Sequence, residues 1–88
     1  MSNVYILQSL KNGRYYIGST NNIKKRIDTH NAGGVKATKN LLPVKIVLRQ
    51  EYPNMYIARR VENRLKKFKR RDYINKIIKD GKIKITGD

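Results

Sequence analysis

Asn3-Val4-Tyr5-Ile6-Leu7-Gln8-Ser9, Lys11-Asn12-Gly13 and Arg14-Tyr15-Tyr16-Ile17-Gly18-Ser19-Thr20 read together as one β-hairpin. The two outer runs are β-branched and aromatic, and the Asn-Gly pair between them is a turn signal. Taken as a two-residue turn, Asn12-Gly13 sets Tyr5, Leu7 and Ser9 opposite Thr20, Gly18 and Tyr16, all on one face. Gly18 leaves a gap there. A strand glycine often marks the close approach of another backbone or a ligand, and a phosphate lying between the Tyr5 and Tyr16 hydroxyls suits the gap. The plainer reading is that these tyrosines are ordinary sheet residues, and Tyr15, Tyr52, Tyr56 and Tyr73 are assigned to it.

Working outward, Asn21 is placed to cap a helix through Asn22-His30, which stops before Gly33-Gly34. Val35-Leu42 is a polar connection closed by Pro43, and Val44-Tyr52 reads as a third strand that ends at Pro53. From Met55 to about Lys69, Ala58, Val61, Leu65 and Phe68 fall at helical spacing. Arg71-Lys79 carries Ile74, Ile77 and Ile78 on one stripe, followed by Gly81 as a cap. Lys82-Ile83-Lys84-Ile85 alternates, which fits a short edge strand or no regular structure. The order β-β-α-β-α-α predicts an α/β (α+β) domain over residues 1–82, a small three-stranded antiparallel sheet flanked by helices, with residues 83–88 as a short tail.

Charge narrows the partners. Among 88 residues, 21 Lys and Arg stand against 6 Asp and Glu, a formal net charge of +15. The cations run through Lys24, Lys25, Arg26, Lys36 and Lys39 and crowd between Arg59 and Arg71, so they are spread over the fold and not gathered in a tail. Such a surface wants a polyanion, and nucleic acid is preferred over a membrane because the apolar positions are committed to a core. There is no cysteine and only one histidine, which excludes disulfides, thiolate zinc sites and a cysteine nucleophile. No apolar run approaches the roughly 20 residues of a membrane span, and the start lacks a signal-peptide pattern. A soluble cytoplasmic protein is the expectation.

The informative residues are polar ones where the core should be. Ile23, Arg26, Ile27 and His30 share one stripe of the first helix, so Arg26 and His30 face the sheet. A snorkelling arginine and a histidine satisfied by a backbone carbonyl are the alternatives. Glu62 is the sole acidic residue between Met55 and Arg71. It is either half of a surface ion pair with Lys66 or Arg59, or a Mg²⁺ ligand, since magnesium keeps most of its waters and needs few carboxylates when a nucleic acid supplies the remaining oxygens.

With these residues in hand, the chain resembles a small stand-alone member of the GIY-YIG nuclease family over almost its whole length. Val4-Tyr5-Ile6 matches the first half of the family motif, with Val4 in place of glycine, and Tyr16-Ile17-Gly18 is the second half verbatim. Asn22-Ile23, Arg26, His30, Thr38, Pro43, Ala58 and Glu62 follow in the family's order. The resemblance implies Mg²⁺-dependent (or Mn²⁺-dependent) hydrolysis of phosphodiester bonds, DNA before RNA, of the kind used in DNA repair or recombination. By the same resemblance Tyr5 is the base or proton relay, His30 takes the proton onward or orients the phenol, and Tyr16 binds a phosphate oxygen or the nucleophile. Arg26 binds the scissile phosphate, and Glu62 holds the metal. A free phenol with a pKa near 10 is protonated at neutral pH, so nearby positive charge is expected to lower that of Tyr5.

Gly18, Ser19, Lys24, Lys25, Lys36, Lys39, Arg59 and Lys66 are the expected nucleic-acid contacts, with Asn75 a loose counterpart of the family's late asparagine. Ser19 stands where some members carry lysine. Without an appended binding domain, recognition is expected to run through phosphates with little base readout, unless a protein partner supplies specificity. Oligomeric state stays open. Two rival readings remain at this point: a non-catalytic nucleic-acid-binding module on the same fold, and a basic accessory protein that binds an acidic protein.

Overall fold

In the computed structural model, which describes residues 1–68 and 70–84, the hairpin strands are β1 (Ser2–Ser9) and β2 (Tyr15–Thr20). They are joined by a loop longer than the Asn-Gly signal predicts. Ser9 N–H donates to Arg14 O at 2.8 Å and Gly13 N–H donates to Ser9 O at 2.9 Å, so Leu10 to Gly13 all belong to the loop. The Ser9 hydroxyl holds it, accepting from Lys11 and Asn12 N–H at 3.1 and 3.2 Å while donating to Leu41 O at 2.6 Å. The register therefore differs from the expectation by two residues: Tyr5 lies opposite Gly18 and Leu7 opposite Tyr16. Because the shift is even, every side chain keeps its face.

The third strand, β3 (Val44–Tyr52), pairs antiparallel with β1 on its other edge, giving the sheet order β2-β1-β3. Opposite Ile6 and Leu7 the partners jump from Leu48 to Ile46, a bulge at Val47. As the central strand, β1 is covered on both faces, which accounts for its unbroken run of fully buried Val4, Tyr5, Ile6 and Leu7.

Helix α1 (Ile23–Asn31) covers one face. Its cap is Asn22 and not Asn21, because Asn22 Oδ1 is the oxygen that accepts Lys25 N–H. Gly33, at φ +79°, turns the chain away at the other end. Helices α2 (Met55–Phe68) and α3 (Arg71–Asp80) cover the opposite face, where Val4, Ile6, Leu48, Ala58, Val61, Leu65, Ile74 and Ile77 form the larger core. Gly81 ends α3 in the left-handed conformation, as its position in the sequence implies.

Ile83, assigned to the tail by sequence, joins that core: it is buried, and its backbone N–H and C=O are both bonded by the Gln50 side-chain amide. Lys82–Lys84 form no strand, and Ile85 lies outside the described residues. Tyr15, Tyr52 and Tyr73 pack against the core, but Tyr56 does not; it is 70% exposed, with Arg60 over its ring.

Candidate active site

Tyr5 is fixed by the middle of β1, beneath α1. Its ring lies across Gly18 so closely that a Cβ on that glycine would sit 2.5 Å from the Tyr5 hydroxyl. The gap that the sequence leaves for a phosphate is thus filled by the phenol. Gly18, buried in the sheet, makes room for Tyr5 instead of contacting a ligand.

From the phenol a chain of bonds runs inward. Tyr5 Oη lies 2.9 Å from His30 Nε2, and His30 Nδ1 lies 2.8 Å from the Thr38 hydroxyl. Both His30 and Thr38 are fully buried. The Thr38 proton goes to Val35 O, so on these partners we assign Nδ1–H as donor to Thr38 and Nε2 as acceptor from the Tyr5 hydroxyl. Arg26 Nε–H donates to Tyr5 Oη from the solvent side at 3.2 Å. Tyr16 completes the group, its ring centroid 5.1 Å from that of His30 and 6.4 Å from that of Tyr5. The helical stripe thus brings Arg26 and His30 to the sheet as expected, with a threonine hydroxyl in place of a backbone carbonyl as the partner of His30.

Electrostatics sharpen the assignment. Burial raises the pKa of Tyr5 above its ordinary value, more than the Arg26 hydrogen bond and charge lower it. Arg26 lowers it as expected of a cation, but not enough to offset burial under the helix. Burial, with help from the Arg26 charge, lowers the pKa of His30. A protonated phenol thus faces a neutral imidazole across one hydrogen bond, and both shifts oppose standing transfer of the proton from Oη to Nε2.

Glu62 stands across the edge strand, on the α2 side. Its Oε1 accepts from the Ser19 hydroxyl and its Oε2 pairs with Lys66 Nζ at 2.6 Å, the carboxylate side chain being 15% exposed. Ser19, on the side of β2 opposite Gly18, thus orients the carboxylate. No group of three or more His, Cys, Asp or Glu residues clusters among the described residues. The donor set nonetheless fits a hydrated divalent ion: one carboxylate oxygen is steered by a hydroxyl donor, while the other already holds a cation, and that cation sits on a half-exposed, flexible lysine stem. A cleft of about 320 Å³ beside it is lined by Ser19, Thr20, Arg26 and Arg59, so arginines of α1 and α2, from opposite sides of the sheet, border one space.

The remaining sequence candidates divide. Lys25 borders a hollow with Arg26, Thr20 and Asn21. Lys24 borders a separate hollow against Ile46 and Arg49 of β3. Lys36 and Lys39 are exposed in the connection after α1. Asn75 lies on the other face of the sheet, its Oδ1 accepting from Tyr15 at 2.5 Å, and does not join Tyr5 or Glu62. Thr38 joins the cluster through His30, a contact that sequence does not reveal because Thr38 lies in an irregular stretch where no periodicity assigns a face.

Among the described residues no helix is long and apolar enough to cross a membrane. A family model, the GIY-YIG catalytic domain, matches residues 1–77. A UPF0213 protein of Staphylococcus haemolyticus is 39% identical over 75 residues, covering 84% of this chain and 90% of its own. One from Bacillus licheniformis is 38% identical over 72 residues, 81% of this chain and 74% of its own. A third, from Streptococcus pneumoniae serotype 4, is 38% identical over 68 residues, 76% and 68% of the two chains. No solved structure matches the chain.

Proposed function

This chain belongs to the GIY-YIG catalytic-domain family, a family of nucleases, and on that premise we propose that it is a divalent-metal-dependent endonuclease cutting phosphodiester bonds in nucleic acid, DNA in preference to RNA. Membership by itself indicates a hydrolase acting on nucleic acid, in a family whose members generally use divalent metal ions. The observation that carries the finer reading is the bonded series Arg26 Nε–H, Tyr5 Oη, His30 Nε2 and Thr38 Oγ.

In this reading a water that enters from the cleft past Arg26 gives its proton to Tyr5 Oη as the phenol proton passes to His30 Nε2. No standing phenolate is needed, which suits a phenol whose pKa burial has raised. The imidazolium so formed is buried beside Arg26, and that repulsion favours return of the proton through Tyr5 once the bond is cut. Arg26 and Arg59 bind the phosphate from two sides, and the Arg26 fork offsets charge that grows in the transition state. Glu62, held by Ser19, would carry Mg²⁺ or Mn²⁺ after Lys66 swings to the phosphate; the chemistry such an ion supplies when bound is stabilisation of the leaving oxygen.

Plasmid nicking at low salt, with and without Mg²⁺, tests the reading on wild type, Glu62→Ala and Tyr5→Phe. The expected result is metal-dependent nicking by wild type and its loss in both variants. If all three proteins retard DNA on a gel and none cuts plasmid, branched DNA or RNA, the chain is a binding module instead.

A further inference from the structure

A second cavity, about 440 Å³, opens along the outer edge of β2 where α2 and α3 approach it. Its floor is apolar, made by Ile17, Leu65 and Ile74 with the half-buried Tyr15 ring. Its rim is cationic: Arg14, Lys66, Arg70 and Arg71 line it, and no acidic residue does. One wall is braced in advance. The Arg71 guanidinium lies 4.8 Å from the Tyr15 ring centroid and its Nη2 donates to Gly13 O at 3.0 Å, while the Tyr15 hydroxyl bonds Asn75.

Two residues link this cavity to the catalytic cluster, although it shares no lining residue with the Arg26–Arg59 cleft. Tyr16 borders it and also packs on His30, and Lys66 borders it and also pairs with Glu62. Both open along β2, the cavity at Tyr15–Ile17 and the cleft at Ser19 and Thr20, so a strand laid along β2 with a phosphate in the cleft would bring a neighbouring nucleotide to the cavity. An apolar floor gives a phosphate no compensation for its lost water, whereas a base offers a flat, largely apolar face and a planar edge. The ring of cations complements the phosphates on either side of such a base. Bases stacked and paired inside a duplex cannot turn sideways into a recess beneath a strand edge.

We infer that the Tyr15–Arg71 cavity receives one unpaired base adjacent to the scissile phosphate, so that the preferred substrate is nucleic acid with a single-stranded, bulged or extruded nucleotide at the cut. The inference rests on the nuclease reading for the identity of the neighbouring phosphate. Arg71 over Tyr15 supplies a preformed stacking platform, which limits the ordering cost of binding. Asn75 acquires a purpose here, as the residue that fixes the Tyr15 ring and hence the wall of the cavity.

The experiment is a binding titration in EDTA, where nothing is cut, with three duplexes of one sequence. One is fully paired, one carries a single bulged fluorescent adenine analogue, and one carries an abasic bulge at the same place. Wild type is expected to bind the base-bearing bulge roughly tenfold more tightly than either other duplex, with a change in the analogue's fluorescence. In Arg71→Ala and Tyr15→Leu, each checked for folding by circular dichroism, that ratio should fall to near one. Should Tyr15→Leu fail to fold, Arg71→Ala and Arg14→Ala carry the comparison. Equal affinity for the base-bearing and abasic bulges, or a preference indifferent to Arg71→Ala, overturns the inference. Displacement of the bulged duplex by an acidic peptide as readily as by a base-bearing strand overturns it as well, since the cavity would then read charge alone. The same duplexes with Mg²⁺ separate the two readings: base preference without any cleavage removes only the nuclease, and cleavage without base preference removes only the cavity's role.

Discussion

The two faces of the sheet are both buried, yet they are filled by opposite chemistry. On the α2–α3 face, Val4, Ile6, Leu48, Val61, Leu65, Ile74 and Ile77 pack side chain to side chain with no polar atom among them. On the α1 face, Tyr5, Leu7 and Val44 share their layer with fully buried His30 and Thr38 and with the inner end of Arg26. One face holds the chain together, and the other spends burial on tuning protons: the same exclusion of water that stabilises Leu65 raises the pKa of Tyr5 and lowers that of His30. A domain this small divides the two tasks by strand alternation alone, since Val4 and Tyr5 are neighbours in sequence and face opposite ways.

The sharpest way to break this comparison is to remove one oxygen from the chemical face and a side chain from the other. Tyr5→Phe should reduce cleavage by about a hundred- to ten-thousand-fold, read by single-turnover kinetics, while urea unfolding changes little. Ile77→Ala, in the same core but outside both cavities, should do the reverse, costing about 2–5 kcal/mol of stability and leaving cleavage per folded molecule intact. If the two effects fall on the same readout, the division of labour is wrong.

Gly18→Ala joins the faces. Its methyl group would overlap the Tyr5 phenol, so the ring must move, and both cleavage and stability should fall, the latter by about 1–3 kcal/mol.

Thr38→Val is smaller. It leaves His30 Nδ1–H without its acceptor, and cleavage is expected to drop about tenfold, by loss of an oriented hydrogen bond worth about 1–2 kcal/mol, with recovery in Thr38→Ser. A merely structural role would lower stability in both variants without that recovery in rate.

The smallest effect is on pH. Arg26, Tyr5 and Tyr16 face His30, and its folded pKa is lowered from the ordinary 6.5, so the unfolded chain takes up the proton first. Stability from this source is complete above about pH 6.5 and is lost as pH falls toward the folded value, a decline in melting temperature that His30→Gln should flatten.

Much of this was legible in the chain. The third strand and both long helices follow from periodicity, and Gly81 marks an end because only a residue without a Cβ sits easily at a φ of +76°. Arg26 and His30 were traceable because a helix repeats its face every three to four residues, whatever lies beyond it. Thr38 was visible only as a residue in the family's order, and its bond to His30 was not, because that partner is set by how an irregular stretch packs against α1. That Asn75 would bond Tyr15 was not legible either, because their contact joins residues sixty apart in the chain.

By itself, then, the sequence determined the elements, the alternation that sends Tyr5 and Val4 to opposite faces, and the charge that calls for a polyanion. These are properties of local backbone geometry and composition, and they survive any later docking of helices. Only the tertiary structure decided that Tyr5 fills the space over Gly18, that Ser19 holds Glu62, and that burial outweighs Arg26 in setting the phenol's pKa. Each depends on distances between residues far apart in the chain, and the electrostatic balance depends on how much water the packed helices leave between them.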